Sequence, residues 1–366
     1  MTETEPEYLV PQPRVKPKAR FDLRPSAEFW FIPILVIVQV GLFLFMGFQG
    51  VDWLAPRAED LLDWGALNRT SVINQQYWRL FTGAFIHAGV FHLGMNMFIL
   101  MVLGRILEPV LGWVKLSGVV AVTLLASSLA SIAWHPIKVG VGFSGVIFGL
   151  LACLMVLLIF RSKAFGAMLG QIIVLVIVMC VDLLLALFSE RIDHAAHGGG
   201  FVVGLLCGGL LIPGLIKAEW DTMSGGLIGM LGMLVFIASF IVIQNLPDPL
   251  GRYLRVQRSF LELKIQEEAL LNPLLTADSL SQVNQVYSDR AEAWQNQLER
   301  SDSLSLNEFP ASLQDRLSLM RLYSQLKVKQ NNLWAAYYQS DQDSLFVAAA
   351  EMESKFIQLD SSLRLP

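Results

Sequence analysis

The sequence predicts an all-α membrane protein: seven apolar helical spans followed by a helical soluble tail. Three observations predict it. Of the 366 residues, 54 % are hydrophobic and only 16 % charged, and mean hydropathy is +0.52; an ordinary soluble domain is about 45–50 % apolar and about 25 % charged. The apolar residues gather in long runs between residues 29 and 243, and a helix needs about 20 of them to cross a bilayer. No run alternates every second residue over about 10 positions, as the strands of a membrane barrel would. This composition excludes disorder. A net charge of −4 does not suit a nucleic-acid partner. Cys153, Cys180 and Cys207 all lie inside apolar runs without metal-type spacing, which argues against a disulfide framework or a zinc site.

Residues 1–28 are polar and carry Arg14, Lys16, Lys18, Arg20 and Arg24. The first run, Phe29–Phe48, is longer than a signal-peptide core and has no A-x-A-like site after it, so it reads as a retained anchor. The loop from Gln49 to about Ala84 holds Trp53, Trp64, Tyr77 and Trp78; such aromatics favour the membrane interface. With Leu61, Leu62 and Leu67 beside them, this loop is expected to lie in the outer leaflet. The second span is Phe85–Leu103, and Glu108 near Arg105 reads as a structural loop anchor at its inner end. Leu116–Trp134, Gly145–Phe160, Phe165–Phe188, Ala195–Ile216 and Leu227–Ile243 follow. Asp182 in the fifth span receives no role. Residues 244–366 are ordinary in composition, with 12 Lys+Arg and 16 Asp+Glu. Leu319, Leu322 and Leu326 show helical spacing, as do Phe346, Ala349, Met352, Phe356 and Leu359. Asn272-Pro273 and Phe309-Pro310 mark breaks between helices. The expected organisation is a basic cytoplasmic tail (1–28), a six-span core (29–216), a linker with the seventh span (217–243) and a helical soluble domain (244–366).

Basic residues near span ends set orientation. With the N-terminus inside, ten flank the inner ends and five the outer ends. The N-terminus is therefore expected inside and the tail outside, although Arg252, Arg255 and Arg258 closely follow the seventh span and argue against that side for the tail. Short loops and a lean N-terminus suggest a bacterial inner membrane. Asn68-Arg69-Thr70 would be a glycosylation acceptor in a eukaryotic secretory membrane.

Polar groups inside spans are costly in hydrocarbon and mark function. The second span carries His87, His92 and Asn96, the fourth is entered by Gly142-Phe143-Ser144-Gly145, and the sixth opens with Asp193-His194-Ala-Ala-His197. All three spans start on the outer side, so these residues lie at a similar depth. A serine hydroxyl is a poor nucleophile until a base takes its proton, and a neutral imidazole does that. Ser144 and His197 are such a pair if spans four and six touch. Gly145 and Gly149 on one helix, and Gly200 and Gly204 on the other, have the spacing that lets helix backbones approach closely. Peptide-bond hydrolysis passes through an oxyanion that needs preorganised donors. His92 and Asn96, four residues apart, share a helix face and can both donate, as can the Ser144 backbone N–H. His87 is less clearly on that face, and His194 is expected to support the site or cap a loop. Singly, each has a plainer explanation: a serine in a span often bonds its own backbone, and paired glycines often serve packing alone. Packing does not explain all of them at one depth.

Four pieces in order carry a family resemblance: Trp78-Arg79, His87-x4-His92-x3-Asn96, Gly142-Phe143-Ser144-Gly145, and Ala196-His197-x-Gly199-Gly200-x3-Gly204. Gly104-x3-Glu108 adds to it. Over roughly residues 29–216 the chain resembles the rhomboid intramembrane serine proteases. The resemblance implies a six-helix rhomboid-like core and a serine–histidine dyad without a third acidic member. Ser144 would be the nucleophile, His197 the general base and acid, and His92 and Asn96 the oxyanion hole. Phe148 falls where family members carry an aromatic ring packed on the histidine. Gly142, Gly145, Gly199 and His87 would support the site. It further implies single-span transmembrane protein substrates cut near the outer membrane face, lateral access between spans two and five, and no metal or organic cofactor. The seventh span looks like a six-plus-one arrangement. The tail lies outside the resemblance; it is expected either to bind a substrate or protein partner or to stabilise the rest. One alternative is a catalytically inactive rhomboid-like chaperone or adaptor, but such relatives lack the serine or the histidine. The other is a seven-helix transporter, which would show inverted repeats and broken helices about a midplane site.

Overall fold

In the computed structural model, residues 23–165, 192–269, 279–340 and 342–352 are described, with a few single residues besides. Every regular element among them is helical. The first span is helix α1 (Phe31–Phe48). Its start is capped from another helix: the Glu108 carboxylate accepts the backbone N–H groups of Trp30 at 2.8 Å, Phe31 at 2.7 Å and Ile32 at 3.0 Å. The first N–H groups of a helix have no partner within it, so a buried carboxylate there satisfies them and favours the helix dipole. Ile32 lies directly over Gly104, where a Cβ would come within 2.6 Å of it. The spacing Gly104-x3-Glu108 thus gives the helix that carries both residues one face that receives α1.

Three short helices fold the first loop: α2 (Ala58–Asp63), α3 (Arg69–Ile73) and α4 (Arg79–Thr82). Arg79 donates to the Leu62 carbonyl at 2.6 Å, the Ala66 carbonyl at 2.9 Å and Gln76 Oε1 at 2.5 Å. Arg69 does the same across elements, donating to the carbonyls of Ile132, Ala133 and Pro247. Asn68 is buried and accepts from the Ser71 N–H as the cap of α3. The folded chain therefore hides the Asn68 amide that the glycosylation pattern would need.

Helix α5 (Val90–Trp134) contains both the second and third expected spans. Gly112 breaks it at φ +73°, a backbone conformation favourable only for glycine. The second span does not begin at Phe85. Residues 83–85 form a 3-10 turn, and the α-helix starts at Val90 after Gly89 at φ +114°. The first loop causes this. The Trp53 carbonyl accepts the Val90 N–H at 2.8 Å, and the Leu54 carbonyl lies 2.4 Å from where a Gly89 Cβ would be.

Helices α6 (Ser144–Phe165), α7 (His194–Ile216) and α8 (Asp221–Asn245) supply the fourth, sixth and seventh spans. The fifth expected span, with Asp182 and Cys180, lies almost wholly outside the described residues, as do most of the basic tail and the Asn272-Pro273 break. The core is a continuous apolar cluster centred on α5, α6 and α7, with Leu100, Leu103, Leu107, Phe143, Leu150, Cys153 and Cys207 all buried. At the end of the bundle away from Ser144, Lys115 pairs with Asp221, and the Ser224 hydroxyl accepts the Gly214 N–H at 2.9 Å. These contacts seat α8 against α5 and α7.

Among its described residues the tail folds as four α-helices: α9 (Pro249–Ala269), α10 (Leu280–Asp302), α11 (Ala311–Ser340) and α12 (Asp343–Glu351). Phe309-Pro310 falls between α10 and α11, where the break was expected. Tyr253, Phe260, Trp294, Leu317, Met320 and Tyr323 form a second apolar core. The expected stripe Leu319-Leu322-Leu326 is not the buried face of α11. Leu322 is 43 % exposed, and the buried face is Leu317, Met320, Ser324, Lys327 and Asn331. Polar residues occupy it because they are satisfied there. Ser324 donates to the Met320 carbonyl at 2.8 Å, and Lys327 lies 3.2 Å from Glu267. In the second expected stripe, Ala349, Met352 and Phe356 are buried whereas Phe346 is 47 % exposed.

Candidate active site

Ser144 is the first residue of α6. Gly142 precedes it at φ +101°, and its N–H donates to the Gly83 carbonyl at 3.1 Å. Phe143 is fully buried, edge-on to Phe85 at 5.5 Å. The glycine makes the turn, the phenylalanine anchors it in the core, and the serine emerges half-buried on the other side. The Ile147 N–H donates to the Phe143 carbonyl at 3.1 Å as the first helical bond. Backbone N–H groups at the start of α6 therefore have no helical acceptor and are available as donors.

His197 lies in the first turn of α7, buried. Its Nε2 is 2.8 Å from Ser144 Oγ, a good hydrogen bond. The Phe148 ring stacks on the imidazole, with centroids 4.2 Å apart and planes 14° apart. The glycines bring the two helices this close. A Cβ on Gly200 would lie 2.0 Å from the Gly145 carbonyl oxygen, and one on Gly204 would lie 2.1 Å from that of Gly149. Gly199 packs against α5 instead, where a Cβ would meet Ala130 at 2.5 Å.

The His92 ring lies over Gly142, within 2.6 Å of where a Cβ would be. Two residues before Ser144, only glycine leaves it room. The Ala88 N–H donates to His92 Nδ1 at 3.4 Å, a long bond that favours the tautomer with its proton on Nε2, the nitrogen beside Gly142. Asn96 is buried one turn on; its Nδ2 donates to the His92 carbonyl at 2.8 Å, which leaves one amide hydrogen for another acceptor. No hydrogen bond joins Asn96 to Ser144 among the described residues. His87 is not on the helix; it sits buried before it, edge-on to His92 with centroids 5.2 Å apart.

Sequence reasoning missed the supports. His194 is exposed and makes no hydrogen bond among the described residues; the cap of α7 is Asp193, whose Oδ1 accepts the Ala196 N–H at 2.9 Å. Its Oδ2 accepts the Ser131 hydroxyl at 2.5 Å, tying α7 to the end of α5. An Asp just before an apolar helical run is a cap signature and was readable. The two-way backbone bridge between Leu67 and Gly140, at 2.9 and 2.8 Å, pairs two loops with no common pattern and was not.

Fold and site together define an all-helical integral membrane protein with a serine–histidine pair set between two spans. Comparison with known proteins agrees with the membrane fold. Residues 74–214 match the family described as Rhomboid domain. The chain is 28 % identical over 234 residues to RHOMBOID-like protein 1 of Arabidopsis thaliana, covering 56 % of this chain and 60 % of that one. It is 27 % identical over 188 residues to Rhomboid protease GluP of Bacillus subtilis, covering 51 % and 36 %. It is 32 % identical over 143 residues to Inactive rhomboid protein 1 of Danio rerio, covering 38 % and 16 %. Residues 74–214 thus match the family's domain, and the relatives matched include one named a protease and one named inactive. It spans less than two thirds of the length of each of these three relatives.

Proposed function

We propose that the chain is an intramembrane serine endopeptidase that cuts transmembrane segments of membrane proteins by a Ser144–His197 dyad. The observation that carries this reading is the 2.8 Å contact between Ser144 Oγ and His197 Nε2. In the first step Nε2 takes the hydroxyl proton as Oγ bonds to the scissile carbonyl carbon. Negative charge gathers on the carbonyl oxygen. His92 Nε2–H, the Asn96 amide and the backbone N–H of Ser144 are its proposed donors, worth most in a water-poor site. His197 then passes the proton to the amide nitrogen, the C–N bond breaks and an acyl-serine remains. Water, deprotonated by His197, attacks the acyl carbon; the C–Oγ bond then breaks, His197 returns the proton to Oγ, and the fragment leaves with a new C-terminal carboxylate.

A helical peptide bond is shielded by its own turn, so the substrate segment must unwind at the cut. We place the cut near the outer face and the N-terminus in the cytoplasm, from the basic residues at the span ends, and the protein in a bacterial inner membrane from its loop lengths. Substrates would reach the site laterally between spans two and five, the fifth being outside the described residues.

The test is covalent labelling of purified protein in detergent by a fluorophosphonate, with Ser144→Ala and His197→Ala alongside. Labelling of wild type lost in both variants supports the dyad. A folded wild type that neither labels nor cleaves a transmembrane substrate sinks the reading and leaves a non-cleaving rhomboid-like chaperone or adaptor.

A further inference from the structure

The tail is not a detached appendage. It starts where the first loop holds it: Arg69 donates to the Pro247 carbonyl at 3.3 Å, and the Thr70 hydroxyl donates to Asp248 Oδ1 at 2.8 Å. Asp248 also accepts the Gly251 N–H at 3.0 Å near the start of α9. The second connection is more telling. Ile137, half-buried in the segment between α5 and α6, packs against the apolar core of the tail. That segment, residues 135–143, leads directly into Ser144.

The residues on either side of Ile137 reach the other catalytic helix. His135 Nε2 lies 3.4 Å from Asp193 Oδ1, and Lys138 Nζ donates to the Ile192 carbonyl at 2.6 Å. Asp193 caps α7, which carries His197. Further along, Gly140 pairs with Leu67 and Gly142 with Gly83. One short strap therefore touches the N-terminal ends of both catalytic helices, and Ile137 is its contact with the tail. An apolar contact holds the strap down without competing for its hydrogen bonds.

We infer that Ile137 is a positioning residue for the Ser144–His197 pair, with the core of the C-terminal helical domain as its anchor. This rests on the protease reading, so its test carries a readout independent of that reading. Full-length wild type, Ile137→Ser and Ile137→Leu are compared in detergent. Two quantities are measured: amide hydrogen exchange over residues 136–143 and the rate of fluorophosphonate labelling at Ser144. In Ile137→Ser, exchange in the strap should rise about tenfold through local opening, and labelling should slow to a similar degree. Peptides from α10 and α11 should keep their protection, and Ile137→Leu should restore both quantities. If Ile137→Ser loses protection throughout the bundle, the milder Ile137→Ala is read by the same criteria. Unchanged strap exchange would show that the tail does not anchor it. Raised exchange with wild-type labelling would show an anchor that positions nothing. Either result overturns the inference alone. A wild type that does not label at all overturns the protease reading and, with it, the positioning role.

Discussion

At Ser144 the hydroxyl meets His197 at the surface of the core rather than within it, so its loss should separate chemistry from folding. Ser144→Ala should abolish cleavage while costing about 1 kcal/mol of stability or less, the worth of one ordinary hydrogen bond; a thermal melt in detergent beside a cleavage assay checks both. Asn96 is a donor on the neighbouring helix. Asn96→Ala should lower turnover by about 10²–10³-fold if its amide meets the oxyanion; single-turnover kinetics with a transmembrane substrate would show it, and an unaltered rate would remove Asn96 from the hole. The residue types of the site were legible because a serine, histidines and an asparagine are out of place in hydrocarbon. Their supports were less so. Asp193 could have been read as a cap, but its bond to Ser131 joins residues 62 positions apart, and no local pattern announces such a pair. His87 was expected within the second span, though less clearly on the His92 face, and it precedes the helix because the first loop delays the helix start.

The α6–α7 interface depends on glycine at the element scale. A methyl group on Gly200 would sit 2.0 Å from a backbone oxygen that cannot move aside without moving its helix. Gly200→Ala should therefore push the helices apart, cost about 1–3 kcal/mol and reduce labelling at Ser144. Gly198→Ala is the control: nothing lies within 4 Å of its Cβ position, and replacing glycine within a helix should be neutral or stabilising by up to about 1 kcal/mol. Melting temperatures and labelling rates of the two variants should move in different directions. Equal behaviour would mean that close packing is not what holds the dyad. Small residues four apart were visible in the sequence, and so were the apolar lengths of the spans. The break at Gly112 and the late start of α5 were not; the late start answers to contacts made by the first loop.

Across the whole molecule, two apolar cores meet at one strap. The core of the tail centres on Trp294, only 2 % exposed, with the Phe260 and Tyr323 rings against it. Trp294→Ala should cost the tail about 3–5 kcal/mol, as large buried aromatics do. Limited proteolysis should then cut within residues 280–340 while the membrane bundle stays intact. A tail as resistant as wild type would mean that Trp294 does not centre its core. That the tail is helical, and that α10 and α11 part near Phe309-Pro310, could be read from its turns. The buried face of α11 could not, since it carries Ser324, Lys327 and Asn331, and polar residues become core only when their partners arrive from other elements.

By itself the sequence determined the class of the protein, the approximate places of the described spans apart from the start of the second, and the residues that could do chemistry. Those follow from hydrophobic length, from the cost of polar groups in a membrane and from local spacing, all properties of the chain over a few turns. The tertiary structure decided which of those residues meet. The 2.8 Å serine–histidine contact bridges 53 positions, Glu108 caps a helix more than 70 residues earlier, and Ile137 joins a membrane bundle to the core of the C-terminal helices. Such contacts depend on how helices cross and which backbones can touch, and local sequence carries no record of either.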